Sequence, residues 1–203
     1  MPENTTRYYE EGNFDCIVAE LNESDGTYGT VHKLQGLVNF DGTFSQTTDK
    51  KAADDVTDYV VKKSPLTCSG TITFIGLSKD DYKALYNNIL DGASALVFGR
   101  KGKTKKLGLS FKNTRVGDTT SINKYTFNSV VLDLPPLSTK TLEEGNTDIR
   151  EFAIPFTASP YKYANKTGET DTVTMSILNS VDDATTYNAN KDKIYIPTED
   201  TLD

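Results

Sequence analysis

Apolar and polar residues alternate along much of this chain with the two-residue period of β-strands. The clearest run is TCSGTITFIGL (67–77), where Thr71, Thr73 and Ile75 fall on one face and Ile72 and Phe74 on the other. NFDCIVAEL (13–21) reads as an earlier strand, ended by the turn NESDG. TYGTVHKLQGLVNF (27–40) reads as a second strand region, with Asp41-Gly42 as its turn. SINKYTFNSVVLDLPPL (121–137) predicts a strand with Tyr125, Phe127 and Ser129 on one side, Val131 continuing the alternation, and Pro135-Pro136 closing it. REFAIPFTASPYKY (150–163) puts Phe152, Ile154 and Phe156 in register, with Pro155 marking an edge or a bulge.

One segment has the helical period instead. Ser78 is placed as an N-cap, Asp80 and Asp81 fill the first turn, and Tyr82, Leu85, Tyr86 and Ile89 form one apolar stripe. Leu90 extends the stripe, and Asp91-Gly92 supplies the stop. A helix over about 78–91 follows, packed on a sheet by one face. After it, Leu96, Val97 and Phe98 lead into RKGKTKK, and Leu107, Leu109 and Phe111 alternate on the return, which reads as a hairpin with a basic tip.

The polar stretches set the organisation. Residues 1–12 read as an N-terminal arm and 13–163 as the β domain. Within that domain, 41–66 is a long loop, too polar and too long for an ordinary hairpin turn, ending in Tyr59-Val60-Val61. Residues 164–203 read as a C-terminal arm that adds strands to something else, since forty polar residues make no independent domain without a staple. The fold class is mainly β: an antiparallel sandwich or partly closed barrel with one flanking helix.

Composition narrows the chemistry. The chain has 203 residues, enough for one domain with extensions, and its 11 Tyr and 9 Phe argue against disorder. No apolar run is long enough for a transmembrane helix, and MPENTTRYYEEGNFD lacks the apolar core of a secretory signal. Cys16 and Cys68 are too few for a disulfide framework and are read as reduced small hydrophobes. The single histidine, His32, sits on an apparent strand away from any nucleophile motif. No phosphate-binding, dinucleotide-binding, nucleophile-elbow or zinc-protease pattern is present. Asn188, Asn190 and Asp192 approach a calcium loop but lack its central Gly and terminal Glu, and are read as a polar turn. No catalytic residue, cofactor or metal is expected.

Charge is uneven along the chain: net −6 over 1–66, +6 over 67–140 and −7 over 141–203. A basic middle between acidic ends predicts self-complementarity, within one subunit or between neighbours. The alternative is that Arg100, Lys101, Lys103, Lys105 and Lys106 merely crowd one solvated tip.

The order of elements resembles the major tail protein, or tail tube, family of long non-contractile-tailed bacteriophages of Gram-positive hosts. The segments that carry the resemblance are KLQGLVNFDGTFS, LTCSGTITFIGLSKDDYKALYNNILDG, YTFNSVVLDLPP and EFAIPFTASPY, together spanning about residues 28–163. The resemblance implies a structural virion protein, made in the host cytoplasm. Six copies would form a ring, and rings would stack into a hollow tube. The tube would hold the tape measure protein, meet tail terminator and distal tail proteins at its ends, and pass genomic DNA transiently. It also implies that 41–66 and 1–12 bridge rings. Asp54, Asp55 and Asp58, with Tyr59 beside them, would then meet Arg100, Lys101, Lys103, Lys105 or Lys106 of a neighbour. The rival reading is a carbohydrate-binding or adhesin-like β-sandwich, for which eleven tyrosines speak and the lack of Trp speaks against.

Overall fold

The alternating stretches meet in one antiparallel sheet. The computed structural model describes residues 8–53, 56–86, 89–92, 95–98, 104–117, 119–136, 149–164 and 170–197. In chain order the elements are β1 (Tyr9–Asn22), β2 (Thr27–Tyr28), β3 (His32–Leu34), β4 (Leu37–Ser45), β5 (Thr48–Ala53), β6 (Val56–Lys63), β7 (Thr67–Ile75), α1 (Lys79–Leu85), β8 (Ile89–Gly92), β9 (Ala95–Phe98), β10 (Leu107–Val116), β11 (Ser121–Leu132), β12 (Glu151–Ala158), β13 (Tyr161–Ala164), β14 (Thr170–Val173), β15 (Met175–Asn179) and α2 (Ala184–Asn190). The main sheet runs β2-β1-β10-β11-β12-β7-β4, with β3 also on β1 and β15 also on β11. The chain is therefore mainly β, as the pattern predicts.

The sheet folds over on itself around an aromatic centre. The Phe40 ring on β4 lies 4.8–5.0 Å from the rings of Phe111, Phe127 and Phe156 on β10, β11 and β12. Cys16, Val18, Ile72, Phe74, Leu107, Leu109, Val130 and Ile154 complete this buried core. Each such side chain contributes roughly 1.5–3 kcal/mol by leaving water. Among the described residues no ladder joins β4 itself to β1, but β3, two residues before β4, pairs with β1, so the stretch 32–45 meets both edges of the curled sheet.

Where the structure departs from the pattern, a local cause is visible. Asp41 and Gly42 make no turn: they pair with Thr71 and Gly70 inside the β4–β7 ladder. A Cβ at Gly42 would sit 3.0–3.3 Å from the Cys68 thiol and the Phe40 and Phe156 rings, so a larger residue there would make these neighbours give way. On β11 a register shift falls between Phe127 and Val130. The extra residue of a bulge exchanges the two faces, so Val130 and Leu132 enter the core in place of Ser129 and Val131. Pro155 lies on a strand flanked by β7 and β11, yet the β11 ladder stops at Leu132–Phe156. Its carbonyl accepts from the Asp133 amide, so its missing N–H faces the side where that ladder has ended.

The helix is shorter than its apolar stripe. Ser78 and Asp81 form a reciprocal capping box, as the sequence suggests, but α1 ends at Leu85. Ile89 and Leu90, assigned above to the helix, lie in β8, which pairs with β9. That pairing also removes the expected β9–β10 hairpin, because β10 is taken by β1 and β11. The β8–β9 ladder takes these residues in place of the last turns of a marginal helix.

Both terminal stretches join the sheet. Tyr9–Glu11, expected in an arm, already pair with β10. The segment after 164, expected to reach for something else, supplies β15 to β11 of the same chain. It then forms a second helix, α2, which takes in Asn188 and Asn190 of the supposed polar turn. Tyr187 and Tyr195 pack on Leu178, and Ile194 packs on Ile17 and Ala19.

Candidate assembly surface

The segment 41–66 is a ribbon, not a loop. β4 and β7 pair from Leu37–Phe74 to Ser45–Thr67, and β5 and β6 then pair from Thr48–Lys63 to Ala53–Val56. The joint is stitched by hydrogen bonds between the Thr47 and Ser64 backbones and from Gln46 Nε2 to the Ser64 carbonyl, at 2.8 and 2.9 Å. One antiparallel hairpin thus runs off the edge of the sheet and continues alone. Six residues of β5 at about 3.3 Å each carry it roughly 20 Å further. Every residue of β5 is exposed. On β6, Tyr59, Val60 and Val61 are 61, 49 and 51% exposed, apolar side chains bare on both faces of a two-stranded ribbon.

The charged residues proposed as contacts divide into two groups. Asp54 and Asp55, with Arg100, Lys101 and Lys103, lie outside the described residues, and Asp58 lies in β6 beside Tyr59. Lys105 and Lys106 are engaged within the chain. Lys105 Nζ sits 3.2 Å from Glu20 and donates to the Lys83 carbonyl at 3.4 Å, and Lys106 Nζ sits 2.7 Å from Glu23.

The same arrangement recurs along β10, which carries basic residues between acidic neighbours. Lys112 bonds Asp15 at 2.8 Å and faces Asp192 at 3.9 Å, and Arg115 bonds Asp182 at 3.2 Å. Lys33 also reaches Asp15. The hydrogen bonds from Lys112 and Lys33 hold the Asp15 carboxyl down at about 2. Asp15 also stands at φ 54°, in a bulge of β1 that aims it at both lysines. Glu10 accepts from Tyr125, Asn113 and Asn123. Burial pushes Glu10 upward, but those three hydrogen bonds outweigh it and hold the carboxyl below its usual value. For these residues the uneven charge is complementary within the chain. Sequence reasoning missed these partners because pairing of distant strands is not visible in local pattern.

The remaining candidates are structural. His32 Nε2 bonds Asp81 at 2.7 Å and so braces the helix cap. Burial drives the Asp81 carboxyl up, and the hydrogen bonds from His32 and Ser78 more than reverse it. Cys16 and Cys68 are free and buried, and burial lifts the Cys16 thiol to about 12. Tyr86, Tyr187 and Tyr195 are buried, and Tyr28 donates to the Asn128 carbonyl at 2.5 Å, so these four tyrosines form no open platform. Among the described residues no His, Cys, Asp and Glu side chains group to hold a metal ion, and no helix is long and apolar enough to cross a membrane.

No protein-family model matches the chain, and no curated protein matches it.

Proposed function

We propose that this chain is a structural subunit of a tubular phage tail, in which hexameric rings stack into a hollow tube. The observation that supports this reading is the ribbon. An isolated two-stranded hairpin is marginal in water, and this one bears Tyr59, Val60 and Val61 uncovered. A second copy of the chain is the partner that would cover a surface repeated on every subunit. The ribbon then reaches from one ring to the next. The tape measure protein occupies the bore during assembly, and DNA passes through it later.

The experiment is to express the full chain, concentrate it, and examine it by size exclusion and negative-stain electron microscopy. A variant with residues 48–63 replaced by a short turn runs beside it. Hollow tubes or six-fold rings from the first, and only monomers from the second, are the expected result. A wild-type monomer that binds glycans on an array would overturn the reading in favour of a carbohydrate-binding module.

A further inference from the structure

The outer face of the sheet is covered in an unusual way. Ser110 and Lys112 on β10, and Lys124, Thr126 and Asn128 on β11, are all buried, although every one is polar. Their cover is the end of the chain, α2 and the residues that follow to 197. Among the described residues its apolar contacts gather in two clusters. Tyr187 and Tyr195 rest on Leu178 and Ile122 at one end. Ile194 rests on Ile17 and Ala19, beside Tyr28 and Val31, at the other. Between them runs the polar strip.

Across that strip the contacts are few and specific. The Lys124 ammonium, 1% exposed, donates to the carbonyls of Asn190 and Lys193. The Asn128 amide donates to the Tyr195 carbonyl at 2.7 Å. The other groups of the strip find partners in the sheet itself. Ser110 donates to the Tyr125 carbonyl, Thr126 to Ser110, and Lys112 to Asp15. Losing the cover therefore leaves most of the strip satisfied, and water can replace the three carbonyls, and the Asp192 carboxylate near Lys112, that leave with it. Residues of these types are mostly exposed in folded proteins.

We infer that residues 184–197 form a latched cover, held at its centre by Lys124, that opens as a unit from a sheet that stays folded. The groups facing Lys124 are Lys112 from β10, Asp15 from β1 and Asp192 from the cover, so opening bares Lys112 and Lys124 together. This inference is independent of tube assembly and concerns the single chain.

Hydrogen exchange of the full chain in graded, low denaturant tests it. Amides of 184–197 should exchange through an opening that depends more weakly on denaturant than the opening of β10 and β11. Lys124→Met should raise exchange in the cover about tenfold, the scale for hydrogen bonds from a charged donor, and raise the global opening of β10 and β11 by a similar factor, because the closed state is the one destabilised, leaving the gap between the two openings unchanged. If cover and sheet amides of the wild type join one global isotherm, the separable cover is overturned without any variant. If the cover opens separately but Lys124→Met leaves it within about twofold, the latch is overturned.

Discussion

The hairpin from Leu37 to Ile75 has two halves made from the same two strands. The near half lies on the sheet. Its strand β7 buries Cys68, Ile72 and Phe74 at 1% each, and β4 places Phe40 among three other rings. The far half, β5 and β6, has the same antiparallel ladder, and among the described residues every side chain of β5 is exposed. Backbone hydrogen bonds are alike in both, so the ladder is not what separates them. The near half is stabilised by what its side chains exclude from water. The far half must draw its order from the joint, from cross-strand pairs such as Asp49 opposite Lys62, and from whatever covers it.

Four measurements would break or sharpen that contrast. The largest effect is expected at Phe74→Ala, which should cost about 3–5 kcal/mol in denaturant unfolding of the single chain, as for other buried aromatics. Comparable losses from Val61→Ala on the ribbon would erase the distinction. Next comes Asp15→Asn, which strips Lys112 of its closest carboxylate and should cost about 1–3 kcal/mol. Asp49→Asn on the ribbon should stay within about 0.5 kcal/mol. The Asp15 carboxyl is held at about 2, below its unfolded value near 3.8, so the unfolded chain takes up its proton first. Stability from this pair is full above about pH 4 and is lost as pH falls toward 2. An acid titration in which Asp15→Asn loses as much between pH 4 and 2 as the wild type would remove Asp15 from the account.

The third measurement concerns Lys124. Burial, with Lys112 nearby, pulls its ammonium down to about 8, against about 10.4 in the unfolded chain. Between those values the unfolded state holds more protons, so this group's contribution to stability rises with pH. The wild type should gain on Lys124→Met from about pH 8 upward. A constant difference between the two across that window would contradict the assignment. The smallest effect is Ser78→Ala, which should cost about 1 kcal/mol by opening the capping box of α1. Thermal unfolding that does not distinguish this variant from wild type would show the cap to be idle.

Legibility in the sequence followed the same divide. β7 was readable because one of its faces is buried and the other is not: Ile72 and Phe74 against exposed Ile75. The start of α1 was readable because a capping box is local. The end of α1 was not, because Ile89 and Leu90 fit either a helical stripe or a short strand, and the partner strand β9 decided between them. The bulge in β11 was invisible for the same reason, as nothing nearby announces that Val130 replaces Ser129. The polar strip of Ser110, Lys112, Lys124 and Thr126 reads as a water-facing side until the end of the chain is laid across it. Of the proposed contacts, Lys105 and Lys106 were recognisable as charges, but their partners Glu20 and Glu23 are fixed by the pairing of β1 with β10.

That pairing also governs how the protein is made. The lysine that holds Asp15 lies 97 residues downstream of it, and the tyrosine that holds Glu10 lies 115 downstream. A ribosome adding about 5–20 residues per second leaves β1 without its neighbour for roughly 5–20 s. The chain's first strand emerges long before its partner, whereas the β4–β7 hairpin can zip as soon as it clears the exit tunnel. Nascent chains therefore present a folded hairpin together with a first strand that has β2 and β3 on one edge and nothing yet on its β10 edge, and crowding on one messenger brings many such edges close. Slowing elongation between residues 22 and 107 lengthens that exposure, and the yield of folded protein should fall with it.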